Sequence, residues 1–101
     1  MSPEQRLGLD GAQLERLAAL YSALGDVTRL RVVGALLDGE HDVSELVEIV
    51  GITPSAMSHQ LAVLRQLRLV RRRREGRHMI YSLDDEHVAS ILSTGIEHVL
   101  H

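Results

Sequence analysis

The chain has 101 residues, enough for one domain with a small core, and no cysteine, which excludes disulfides, thiolate metal sites and thiol redox chemistry. Its formal net charge is −3, yet all 11 cations are arginine and seven of them (Arg65, Arg68, Arg71, Arg72, Arg73, Arg74 and Arg77) are crowded into one stretch where Glu75 is the only acid. The negative sum therefore does not exclude a polyanion as partner, because the chain reads as an acidic body with one sharply basic patch.

No apolar run approaches the roughly 20 residues that a membrane span needs. The opening Met1-Ser2-Pro3-Glu4-Gln5 lacks the basic-then-apolar form of a secretion signal. The expectation is a cytoplasmic protein with no membrane partner and a single domain over residues 1–101. There is no Phe or Trp, and Tyr21 and Tyr81 are the only aromatic residues, so the core must be built from Leu, Val, Ile and Ala.

Residues 1–10 are expected to fray. From Gly11 a helical period appears, with Leu14, Leu17, Leu20, Tyr21 and Leu24 on one stripe that suits either a core or a dimer contact. Gly25 stops this helix and Asp26 can cap the next. Leu30, Val32, Val33, Leu36 and Leu37 give the second helix a broad apolar face, and Gly34 within it suggests close approach to a neighbouring helix. Asp42 and Glu45 have capping-box spacing at the start of a short third helix. Gly51-Ile52-Thr53 makes a turn, Thr53 is a good N-cap, and Pro54 stands at a first helical position, where proline suits a helix. The fourth helix then runs to about Leu67 and buries Met57, Leu61, Leu64 and Leu67.

Two short helices joined by a glycine-containing turn carry the helix-turn-helix signature. The free N-terminal face of the second bears Ser55, Ser58, His59 and Gln60, side chains of the kind that read base edges in a major groove. Leu69–Arg74 and His78–Leu83 have strand character around Glu75-Gly76, so a hairpin follows the helix-turn-helix. Four consecutive arginines in it repel one another unless a polyanion is present, whereas protecting a sheet edge needs only a charge or two. Arg65, Arg71, Arg72, Arg73, Arg74 and Arg77 are thus candidate DNA contacts, with Ser55, Ser58, His59 and Gln60 in the groove. The fold class expected is mainly α with a small β-hairpin, a winged helix-turn-helix of four helices, two strands and a fifth helix.

The segments Gly25-Asp26-Val27-Thr28-Arg29-Leu30, Ser58-His59-Gln60-Leu61-Ala62-Val63-Leu64 and Gly76-Arg77-His78-Met79-Ile80-Tyr81-Ser82-Leu83 resemble the ArsR/SmtB family. The resemblance implies a dimeric winged-helix repressor of bacterial genes, often metal-sensing, with terminal helices that dimerise. Val27 stands where the family usually has proline. The family's thiolate site falls at His41-Asp42-Val43-Ser44-Glu45, which has no cysteine.

The last predicted helix, the fifth, carries Asp85 and His87 at one end and His98 and His101 at the other. His87 and His98 lie on one face, since eleven steps of about 100° return to within about 20°. They are also roughly 16 Å apart along the axis, too far to share an ion whose ligands each sit about 2.0–2.2 Å away. An antiparallel second copy would bring Asp85 and His87 to His98 and His101 of its mate. The result is one carboxylate oxygen and three imidazoles, twice per dimer, a set that suits tetrahedral Zn(II), with Co(II) as a mimic. Each pair alone could be ordinary helix-end chemistry, Asp85 as a cap and the histidines favoured by the dipole. The spacing also resembles the fifth-helix site of the family's zinc and cobalt sensors at each ligand position. Ni(II)-sensing relatives typically recruit histidines from the chain ends, and none precedes His41 here.

The expected function is a metal-responsive repressor that binds palindromic double-stranded operator DNA as an apo homodimer and is released by Zn(II), derepressing metal efflux or resistance genes. Release by metal and a link from the His98 ring to the backbone near Arg68 are implied by the resemblance alone. A nickel- or cobalt-responsive repressor and a structural or metal-storage dimer are the alternatives. A zinc hydrolase is not expected, because four protein ligands leave no open position. His41 is expected in an exposed loop, and His78 on the wing near phosphate.

Overall fold

Helix starts in this chain are set by short polar side chains that take up free first-turn amides. In the computed structural model, which describes residues 1–101, the elements are α1 (Pro3–Leu7), α2 (Gly11–Leu24), α3 (Val27–Ala35), β1 (His41–Asp42), α4 (Val43–Val50), α5 (Pro54–Gln66), β2 (Val70–Glu75), β3 (His78–Leu83) and α6 (Glu86–Leu100). The predicted fifth helix is therefore α6. The expected caps form: Asp26 accepts from the Arg29 amide, Asp42 and Glu45 close a reciprocal box, and Thr53 accepts from the Ala56 amide.

The first ten residues depart from expectation. They form α1, held by a capping box between Ser2 and Gln5 and closed by Gly8 at φ 73°. The Ser-x-x-Gln spacing is the signal that was overlooked. No residue of α1 is buried, so local capping rather than packing holds it.

The sheet has three strands where a two-stranded hairpin was expected, in the antiparallel order β1-β3-β2. The added strand is only two residues long, too short to show a period. Val70 pairs with Leu83 and Glu75 with His78, so β2 begins and ends one residue later than predicted.

The core holds 14 buried residues, led by Val32, Val33, Leu46, Met57, Leu61, Leu64, Leu69 and Val70. It joins α3, α4, α5 and the foot of the hairpin, with Ala23 and Leu24 of α2 and Val88 and Leu92 of α6 against it. Two expectations for α3 fail: Leu30 and Leu37 are exposed, and a Cβ added at Gly34 would meet nothing within 4 Å, so no helix approaches closely there. α5 ends one residue early, at Gln66. Leu67 is half-buried rather than buried, and Arg68 at φ 59° turns the chain so that the Leu69 amide donates to Leu64 O at 2.9 Å. That is the left-handed helix stop usually given to glycine.

The protomer measures 52 × 32 × 22 Å, with a radius of gyration of 15.1 Å. A compact domain of this length would be near 13 Å. The terminal helices extend beyond the core, and their apolar residues (Tyr21, Ile96, Val99 and Leu100 among them) remain in solvent.

Candidate metal centre and nucleic-acid interface

Asp85 is the N-cap of α6, in extended conformation at φ −155°. Its Oδ1 accepts hydrogen bonds from the amides of His87 at 2.9 Å and Val88 at 3.3 Å. Its Oδ2 lies 3.3 Å from His87 Nδ1. Two residues apart inside a helix these side chains would diverge; the non-helical backbone at the cap lets them converge. The hydrogen bond with the His87 side chain holds the Asp85 carboxyl below the ordinary carboxylate range, and the amides of Val88 and His87 act in the same sense against desolvation. The cap and the ligand-pair readings are therefore compatible, since capping occupies Oδ1 and Oδ2 faces the imidazole.

At the far end of α6, His98 and His101 are exposed and line a shallow polar depression with Thr94 and Glu97. Within the protomer no three His, Asp or Glu side chains gather into a group that could hold a metal ion. The expected four residues thus form two half-sites at opposite ends of α6. His98 makes no hydrogen bond in the protomer, so the link to the backbone near Arg68 is not formed within one chain. Both half-sites fit a borderline-soft divalent cation, offering one free carboxylate oxygen and exposed imidazoles.

Beside the half-sites runs an open apolar groove between the end of α2, the start of α3 and α6, lined by Tyr21, Leu30, Ile91, Ile96, Val99 and Leu100. Val99 is 82% exposed and Leu100 75%. Exposed apolar area concentrated in this way marks a contact surface.

On the helix-turn-helix, Gly51 at φ 80° makes the turn between α4 and α5. Ser55, Ser58 and His59 are exposed on α5. Gln60 differs from expectation, being half-buried with Oε1 turned inward and without a hydrogen-bond partner. Arg65 is half-buried at the end of α5.

The four consecutive arginines do not form one surface, because successive strand side chains face opposite ways. Arg72 and Arg74 share a face with Val70, across from Tyr81 and Met79; Arg71 and Arg73 share the other, across from Ser82 and Ile80. Arg71 Nε is 3.4 Å from Ser82 Oγ. Arg73 is already occupied, donating to Glu40 Oε2 at 2.7 Å and Glu75 Oε2 at 2.8 Å. Arg72, Arg74 and Arg77 make no ion pair. Sequence reasoning missed Glu40, because no local spacing flags a partner 33 residues away.

The other histidines also acquire partners. His41 is not a loop residue: it sits in β1, paired with Tyr81, with its ring between Asp38 at 3.7 Å and Glu45 at 3.5 Å. His78 Nδ1 lies 3.3 Å from Asp42 Oδ2 and remains exposed on the wing.

Residues 26–72 match the sequence profile of a family described as bacterial regulatory protein, arsR family. The chain is 42% identical over 93 residues to a transcriptional repressor SmtB homolog of Synechocystis sp., covering 92% of this chain and 69% of that protein. It is equally 42% identical over 93 residues to the HTH-type transcriptional regulator NmtR of Mycobacterium tuberculosis, covering 92% of this chain and 78% of the relative. In structure it resembles the homodimeric winged helix-turn-helix DNA-binding domain Mb0332 of Mycobacterium bovis, with a TM-score of 0.79 at 27% identity, covering 98% of this chain and 91% of the other.

Proposed function

The chain belongs to the arsR family of bacterial regulatory proteins, and from that premise we propose that it is a metal-responsive transcriptional repressor acting as a homodimer. The observation that carries the proposal is the division of potential ligands along α6. Asp85 and His87 converge at one end, His98 and His101 lie at the other, and an unpartnered apolar groove runs beside them. Packing two α6 helices antiparallel through that groove satisfies both features together.

In the dimer, Asp85 and His87 of one protomer and His98 and His101 of the partner subunit would ligate Zn(II), giving two equivalent sites. The metal would supply a crosslink between subunits and no reaction chemistry. α5 of each protomer enters a major groove, with Ser55, Ser58 and His59 toward base edges and Gln60 restricted to its amide nitrogen. The free arginines Arg72, Arg74 and Arg77, with Arg71 and Arg65, contact phosphates. Half-sites fall about one helical turn apart on a palindromic operator. Ligation across the dimer releases DNA only if the DNA-free geometry binds metal more tightly, a condition set by linkage. Derepression of metal efflux or resistance genes follows from that sign.

A duplex selected by the protein from a random pool, titrated with Zn(II), Co(II) and Ni(II), tests the proposal. Zn(II) is expected to release the duplex from the wild type. In His98→Ala, zinc binding weakens and zinc-driven release disappears, while metal-free DNA binding is unchanged. Release that persists in this variant would remove α6 from the mechanism. Stronger release by Ni(II) than by Zn(II) would favour the nickel-type reading. A protein that binds zinc but selects no duplex would be a storage or structural dimer.

A further inference from the structure

Arg73 is the arginine of the basic stretch that the fold has already engaged. It projects from β2 on the same face as Glu75 and reaches Glu40, which lies just before β1. In the sheet order β1-β3-β2, the two segments it joins are not neighbours, and β3 lies between them. Asp42 and Arg73 both pair with Ile80, so the side chains around this crossing share the outer face of the sheet. A second tie lies on that face, from His78 to Asp42. Asp42 is also the N-cap of α4, whose amides it and Glu45 satisfy.

We propose that Arg73, unlike its neighbours, is a positioning residue: with Glu40 it fastens the wing to the segment that starts α4, so that hairpin and helix-turn-helix meet DNA as one rigid unit. The inference rests on the DNA-binding reading above and refines its wing. Three observations support it. The guanidinium uses both terminal nitrogens on carboxylates at 2.7 and 2.8 Å, the short range of charge-assisted bonds. Two carboxylates beside it leave little net positive charge to attract a phosphate. The pair also joins segments 33 residues apart, so it constrains tertiary geometry rather than a local turn. Arg72 and Arg74, on the opposite face, have no such acids paired with them.

Salt dependence separates positioning from phosphate contact. Removing an arginine that neutralises one phosphate lowers the slope of log affinity against log salt by about 0.9. Removing a positioning arginine weakens binding with the slope unchanged. The acid gives a second criterion, since Glu40→Gln removes a negative charge and would tighten binding if only electrostatics mattered. Arg73→Gln, Glu40→Gln and the double variant are compared by anisotropy on the selected duplex, and by amide hydrogen exchange of β2 and β3 without DNA. The expected result is a similar severalfold loss of affinity in both single variants, no further loss in the double, an unchanged slope, and faster exchange in the hairpin. A reduced slope in Arg73→Gln, or wild-type affinity and exchange in Glu40→Gln, overturns the proposal. If the wild type selects no duplex, the DNA-binding reading fails, and hairpin exchange alone decides whether Arg73 holds the wing.

Discussion

Asp85 shows how one residue can serve two structural demands. As N-cap it must adopt extended backbone, and that same backbone brings its free oxygen to His87. Because its folded pKa is depressed, chiefly by the His87 side chain, it contributes stability above the ordinary carboxylate pKa. That contribution is lost as pH falls from the ordinary value of 3.8 through the depressed one. Asp85→Asn keeps a good cap but does not titrate. In acid denaturation followed by circular dichroism, the variant should lose less stability than the wild type below about pH 4. Equal acid sensitivity of the two proteins would show that the His87 contact has no thermodynamic weight. Gln60 is the converse case, a side chain whose polar oxygen faces inward without a partner, which reduces what it can offer a base.

At the scale of elements, the junction between α2 and α3 is held by a contact that the chain order conceals. Arg29 on α3 donates from Nε to the Ala23 carbonyl of α2 at 2.9 Å, in a half-buried setting. That carbonyl belongs to the last turn of α2, where no later amide of the helix can satisfy it. A charged donor on a half-buried acceptor is worth roughly 1.5–3 kcal/mol. Arg29→Ala should therefore lose roughly that much in urea unfolding, with an unchanged m-value if the fold is retained. The hairpin teaches a different lesson. Four arginines in a row read as one basic ridge, but strand pleating divides them two and two, and ion pairing removes Arg73 from the free set. Arg72→Gln and Arg74→Gln should each reduce the salt slope of DNA binding by about 0.9, which anisotropy titrations over several salt concentrations would measure.

For the whole molecule, the elongated protomer and its exposed apolar groove argue for a second copy. Ile96 is 48% exposed and Val99 82%, and both face the groove that α2, α3 and α6 leave open. Val99→Glu adds a charge to the apolar face while leaving the buried core untouched. Sedimentation should show a shift toward monomer, and zinc affinity should fall with it, because each half-site then lacks its complement. A monomer that still binds zinc tightly through one α6 would break the link between dimerisation and ligation.

Much of this was legible along the chain. The caps at Asp26, Asp42 and Thr53, the turn at Gly51 and the recognition-helix face are local features, decided within a few residues by hydrogen bonding and sterics. The ligand pairs on α6 were legible for the same reason, since helical rise and twist are constants. What only the tertiary structure decided lies across the sheet and at the cap: the pairing of β1 with β3, the ion pairs of Arg73 and His78, the inward turn of Gln60, and the convergence of Asp85 with His87. Sheet pairs form between segments whose separation in sequence carries no period, and a short exposed strand has too few residues to announce itself. A side chain's partner depends on which face the pleat gives it and what stands opposite, and both are properties of the assembled fold.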